Sequence, residues 1–302
     1  MRPLSGPLSM ISTNRNLLFA LYSAALFAVN GTFVRHLVAY ATDWSNTNAS
    51  HILLIPFISG ALLYSSRERI FAAPRLAAGP GLLLAGIGMI SLVSAATWGK
   101  TLTEGNQLSW MAASMVGLWL GGFLFFFGAA AFRAALFPLM FLFFCAPIPS
   151  PVLQGAIHIL QRGSADFAFM ILKLTGTPIY REDFTFVLPG LTVVVAPECS
   201  GIRSGISLLI LTLLASHLML RSLWRWSALL LMAVPILFFK NALRIATLTL
   251  LAVHVDHRIL TSQLHQEGGI PFFAVGLLLI YPVLRLLIKS ERRLVEGRDS
   301  AQ

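Results

Sequence analysis

Residues 227–252 read SALLLMAVPILFFKNALRIATLTLLA, an apolar run interrupted near its middle by Lys240, Asn241 and Arg244. A helix of about 20 apolar residues crosses the hydrocarbon core of a bilayer. This stretch therefore reads as a membrane span, and it decides the class of the fold. The rest of the chain agrees with it. The 302 residues are 57% hydrophobic and 11% charged, with a mean hydropathy of +0.78, whereas soluble domains carry about a quarter charged residues.

Working outward, apolar segments fall at about 16–34, 51–66, 80–98, 108–128, 133–149, 204–220, 227–252 and 269–288. The expectation is an all-α polytopic membrane protein with about eight transmembrane helices, forming a single domain over residues 1–302. The second and fifth segments are short for a span, which less tilt or local bilayer thinning would accommodate. No small-residue cleavage site follows the first apolar run at signal-peptide distance, so that run is read as a retained helix.

The net charge of +10 does not mark a nucleic-acid binder, because the basic residues sit in short clusters between apolar blocks. With the N-terminus inside, 13 of the 22 Lys and Arg residues fall on the cytoplasmic side. Arg35, Lys100, Arg162, Lys173, Arg181 and Arg258 fall outside, and Arg203, Lys240 and Arg244 lie in or at the edge of apolar segments. The positive-inside rule then predicts an inner-membrane protein with both termini cytoplasmic.

Residues 150–203 do not read as a span. Val152 to Leu174 is an amphipathic helix interrupted by Gln154, His158, Gln161, Arg162 and Asp166. Phe184–Leu188 and Leu191–Val195 flank Pro189-Gly190 and read as a short β-hairpin before the sixth span. This topology puts the section on the external face; the alternative is a plain periplasmic loop.

The chemistry concentrates beyond that hairpin. Cys199, in Pro197-Glu-Cys-Ser-Gly-Ile-Arg-Ser204, stands where the hairpin enters the sixth helix. A helix N-terminus and a nearby guanidinium both favour a reactive thiolate, and on a continuous helix Arg203 would share a face with Cys199. The alternative is a buried structural cysteine. Arg244 lies about 12 Å below the outer end of its segment, at about 1.5 Å per residue, and Asn241 shares its face. Buried ionisable groups in a span face a cavity or a partner, so Arg244 is either a site residue or a structural one. His265 begins the eighth segment on the same side and supplies a candidate acid or base, with His254 and His257 as competitors. Cys199, Arg244 and His265 together make the parts of an activated-thiol mechanism. His51 is a further candidate for the site or for substrate, and Cys145 reads as a packing residue or as a disulfide partner of Cys199. No metal-ligand spacing or phosphate-binding loop is present, so no metal and no cofactor is expected.

Glu198-Cys-Ser-Gly-Ile-Arg203, Asn241-Ala-Leu-Arg-Ile245 and His265 with Gly268-Gly269 resemble the motifs of the exosortase/archaeosortase family. Ser50-His51-Ile-Leu-Leu-Ile-Pro56 and Phe137 to Pro149 add to the likeness, in the family's order, over about residues 50 to 285. The resemblance implies a membrane-embedded cysteine transpeptidase. It would cleave a C-terminal, PEP-CTERM-like sorting signal through an acyl-thioester and transfer the protein to a cell-surface acceptor. Cys199 would be the nucleophile, and Arg244 and His265 would complete the catalytic set, with proton donor and oxyanion stabiliser left open between them. Arg203 would be a supporting residue. The implied partners are exported proteins bearing a motif, a transmembrane helix and a basic tail, together with membrane lipids. The chief rival is a transporter with a midplane Arg244–Asn241 site, although no inverted-repeat symmetry supports it. A lipid or glycan transferase would need an acidic or histidine cluster that the sequence lacks.

Overall fold

In the computed structural model, which describes residues 7–43, 47–72, 76–256, 258 and 269–299, the longest apolar runs form helices of membrane-crossing length. Five qualify by length and composition: Ala78–Thr97, Glu104–Ala134, Pro197–Met219, Leu223–His254 and Gly269–Arg293. The number rises to seven if each of two bent helix pairs counts as one span. The expected eight segments differ from this in three places, each with a local cause. The first segment bends by 73° between Val29 and Gly31. The second divides into a 3-10 turn, Thr47–Leu53, and an 11-residue helix. The fifth is a six-residue helix followed by a 3-10 turn, Leu142–Cys145.

Two compact units divide the chain, Met1–Ser150 and Pro151–Gln302. The first contains α1 (Pro7–Val29), α2 (Gly31–Thr42), α3 (Ile55–Ser65), α4 (Arg67–Ile70), α5 (Ala78–Thr97), α6 (Glu104–Ala134) and α7 (Leu136–Phe141). Helices α5 and α6 run antiparallel and touch backbone to backbone. A Cβ on Gly88 would lie 2.5 Å from the Leu118 amide nitrogen, and one on Gly121 would collide with the Ala85 backbone. Lipid gives apolar helices no hydrophobic reason to associate, so small residues that permit close approach supply the packing. Several polar side chains of this unit find partners within it. Tyr22 Oη donates to the Leu118 carbonyl at 2.7 Å, and Trp119 Nε1 donates to Ser23 Oγ at 3.0 Å.

The second unit begins with α8 (Ser150–Leu174), whose buried stripe is Ile157, Gln161, Ser164, Ala165, Ala168 and Leu172. The spacing of three and four is that of one helix face. Three antiparallel strands follow: β1 (Tyr180–Glu182), β2 (Thr185–Leu188) and β3 (Leu191–Val194), in the order β1-β2-β3. The runs flanking Pro189-Gly190 pair with each other, and β1 is an addition that the sequence reading lacked. Arg181 of β1 pairs with Asp166 of α8 at 2.7 Å, tying sheet to helix. Helices α9 (Ile202–Met219), α10 (Leu223–His254) and α11 (Gly269–Asp299) complete the unit.

Among the described residues, two cores hold it together. Ala165, Ala168 and Leu172 of α8 pack with Phe186 and Leu188 of the sheet and with Ala242, Ile245 and Ala246 of α10. Leu208 of α9, Leu229, Ala233, Ile236 and Leu237 of α10, and Ile280 and Leu284 of α11 form the second. At the turn between α9 and α10, Glu291 of α11 accepts from the Ser222 amide at 2.9 Å and pairs with Arg225 at 3.5 Å.

The backbone contact of α5 with α6 gives a direct test. Gly121→Val should destabilise the detergent-solubilised protein by about 1–3 kcal/mol, the usual cost of overpacking. Gly117→Ala, whose added methyl meets nothing within 4 Å, should leave Tm unchanged or slightly raised. Thermal unfolding followed by circular dichroism reads both.

Candidate active site

The cysteine sits on irregular backbone between a strand and a helix. Past β3, the Val195 amide still bonds to the Phe184 carbonyl at 2.8 Å. Pro197–Ser200 then forms a 3-10 turn in which the Cys199 amide donates to the Ala196 carbonyl, also at 2.8 Å. Gly201 follows at φ 75°, in the left-handed region, and caps α9. Glycine is required there twice over. Its φ disfavours other residues, and a Cβ would lie 2.5 Å from Asn241 Oδ1.

Buried polar side chains hold this segment. Asn241 of α10, 2% exposed, donates from Nδ2 to the Cys199 carbonyl at 2.9 Å. Gln161 of α8 donates to the Val195 carbonyl. Lys240, also 2% exposed, donates to Ser204 Oγ, which in turn donates to the Gly201 carbonyl at 3.1 Å. Backbone carbonyls removed from water need partners: side chains supply them at Val195 and Cys199, and at Gly201 Ser204 adds to the Gly205 amide.

Cys199 and Arg244 line one cavity of about 30 Å³ with Val193, Val194, Val195, Ile245, Leu248 and Thr249. That is room for one water-sized group. Arg244 is near enough for its charge to act on both Cys199 and Lys240. Thr249, fully buried one turn beyond Ile245, has no hydrogen-bond partner for its hydroxyl among the described residues. A thiol, a guanidinium and a hydroxyl around one small space can attack a carbonyl and hold the resulting oxyanion.

The sequence-level candidates are thus brought together only in part. Cys199, Arg244 and Asn241 meet. Arg203 does not: the left-handed Gly201 breaks the helix between it and Cys199, so the expected shared helical face is absent and its side chain is exposed. His265 and its competitor His257 lie outside the described residues. His254 is exposed at the end of α10. His51 is half-buried in a 3-10 turn of the first unit. Neither Cys145 nor Cys199 is in a disulfide. Among the described residues, no three His, Cys, Asp or Glu side chains gather as a metal site. Sequence reasoning named Gln161 and Lys240 without giving them a part in the site and did not single out Thr249. Their one signal was polarity on an otherwise apolar helix face.

The Asn241 bond is testable against a buried hydroxyl that bonds to nothing described. Asn241→Ala strands the Cys199 carbonyl and should cost about 1–3 kcal/mol. Ser164→Ala removes a fully buried Oγ with no partner among the described residues and should be neutral or stabilising. Thermal unfolding in one detergent compares the two.

A family model of transmembrane exosortases matches residues 44–282, well over half of the 302. No curated protein and no solved structure matches the chain. The matched stretch contains the cysteine turn, its Asn241 clamp and the cavity shared by Cys199 and Arg244. With several apolar helices of spanning length, the chain belongs to the transmembrane exosortase family, membrane transpeptidases with a role in protein sorting.

Proposed function

We propose that the protein cleaves the C-terminal, PEP-CTERM-like sorting signal of exported proteins and joins the new C-terminus to a cell-surface acceptor. The observation that carries this reading is the cavity that Cys199 and Arg244 line together, beside a cysteine turn clamped by Asn241. The substrate's apolar helix lies in the inner membrane among the lipids, its basic tail on the cytoplasmic side with both termini of the enzyme. Its motif stays at the external face, where the cysteine turn stands.

The Cys199 thiolate attacks the scissile carbonyl carbon, and the carbonyl electrons move to oxygen. Arg244 is assigned to the oxyanion, and His265 to the proton that the departing amine takes up as the C–N bond breaks. The apolar helix leaves with that amine, and a thioester remains on Cys199. An amine or hydroxyl of the acceptor then attacks the thioester, loses its proton and releases the thiol. Arg203, exposed and separated from Cys199 by Gly201, is assigned to holding substrate near the turn and not to the chemistry. His51 is assigned to substrate contact.

Co-expression with an exported reporter ending in a motif, an apolar helix and a basic tail tests the reading. Wild type should shorten the reporter and accumulate a hydroxylamine-sensitive adduct with it. Cys199→Ala should abolish both while still inserting in the membrane, and Arg244→Ala should slow processing about 10²–10³-fold, as loss of an oxyanion donor does. Wild-type processing by Cys199→Ala would sink the assignment of the nucleophile.

A further inference from the structure

The cavity beside Cys199 has an unusual wall. Three consecutive residues of one extended segment, Val193, Val194 and Val195, line it. Successive side chains of a strand point to opposite faces, so a cavity touched by three in a row runs along the strand's edge. Among the described residues no further strand pairs with that edge, because β3 is the last in the order β1-β2-β3.

The register says which main-chain groups face outward. Leu188 pairs with Leu191 across the two-residue Pro189-Gly190 turn, and Phe186 pairs with Val193. Residues that close a two-residue hairpin exchange hydrogen bonds, and the pattern alternates along an antiparallel ladder. The Val195 amide bonding to the Phe184 carbonyl fits the same alternation. Thr192 and Val194 therefore direct their amides away from β2, toward the open edge. The Val194 side chain is 58% exposed, and the strand carries no charge, proline or bulge of the kind that blunts a free edge. Thr249, whose buried hydroxyl has no partner among the described residues, lines the same cavity.

We propose that the open edge of β3 is the peptide-binding site of this enzyme. An extended segment of substrate adds there as a fourth strand, and the cavity wall leads it to Cys199. Main-chain pairing supplies affinity without demanding a side-chain sequence. Cys199 stands five residues past the end of β3, so a peptide bonded to Thr192 and Val194 runs toward the thiol. The ligand class is an extended polypeptide, and the inference rests on Cys199 being the nucleophile only for what happens after binding.

The test uses the full-length membrane enzyme and a reporter that the wild type processes. Val194→Pro removes the outward N–H at a position where an edge strand tolerates proline, while Val194→Ala keeps the N–H and trims only the side chain. Processing by Val194→Pro should be slower than by Val194→Ala by about tenfold, the worth of a main-chain hydrogen bond of about 1–1.5 kcal/mol. Equal rates for the two variants would overturn the proposal. Benzoylphenylalanine placed at Val194 in the Cys199→Ala background supplies a readout independent of chemistry. Its adduct should map to reporter residues that precede the apolar helix. No adduct, or one mapped only to the apolar helix, overturns the edge as the binding site. An adduct at the motif in a Cys199→Ala enzyme that still processes would instead remove the nucleophile and leave the binding site standing.

Discussion

The hydrogen bond from Asn241 Nδ2 to the Cys199 carbonyl, 2.9 Å long and buried, is the contact on which the geometry of the candidate site depends. Between the end of β3 and the start of α9 the backbone is neither strand nor continuous helix; the Ala196 and Gly201 carbonyls accept from the Cys199 and Gly205 amides, and the Val195 and Cys199 carbonyls accept from side chains. An unsatisfied backbone group among apolar helices costs several kcal/mol. Irregular backbone at such a place persists only where side chains complete it. Asn241 does this at the cysteine itself, Gln161 does it at Val195, and Lys240 does it through Ser204 at Gly201.

That arrangement explains why the two halves of the motif set belong together although some forty residues separate them. Gly201 has no Cβ because Asn241 occupies the space where one would stand. Asn241 and Arg244 share a stripe of α10 three residues apart, so the residue that fixes the backbone of the cysteine also fixes the register of the guanidinium beside its thiol. One helix thus sets both the position of the nucleophile and the charge that faces it. Rotating α10 by a single residue, about 100°, would lose both at once.

How much of this was legible follows from the range of each interaction. Long apolar runs such as 80–98 and 227–252 became helices, because length and hydropathy are properties of one segment. Shorter ones did not keep that promise: 51–66 yields an 11-residue helix after a 3-10 turn, and 133–149 breaks after Phe141. Cys199, Asn241 and Arg244 were visible as polar residues out of place in apolar surroundings. The shared face of Cys199 and Arg203 was read from spacing alone and failed, because a left-handed Gly201 resets the helix after the cysteine. Gln161 and Lys240 were visible as polar residues, but their role was not, because their partners, Val195 and Ser204, lie more than thirty residues along the chain. Periodicity within one helix carries no information about a carbonyl on another element.

The small sheet gives the unit something its helices cannot. A membrane helix spends every interior N–H and C=O on itself, so it has no main-chain groups to offer a ligand. A three-stranded sheet necessarily leaves two edges with unspent groups. On one side the outer strand is β1, held to α8 through Arg181 and Asp166. On the other it is β3, whose edge runs along the cavity of Cys199, Arg244 and Thr249. The strand that continues directly into the cysteine turn is therefore one of the two with main-chain groups to spare. Anchoring the sheet through β1 and through the core of Phe186 and Leu188 keeps the open edge on the side of the thiol.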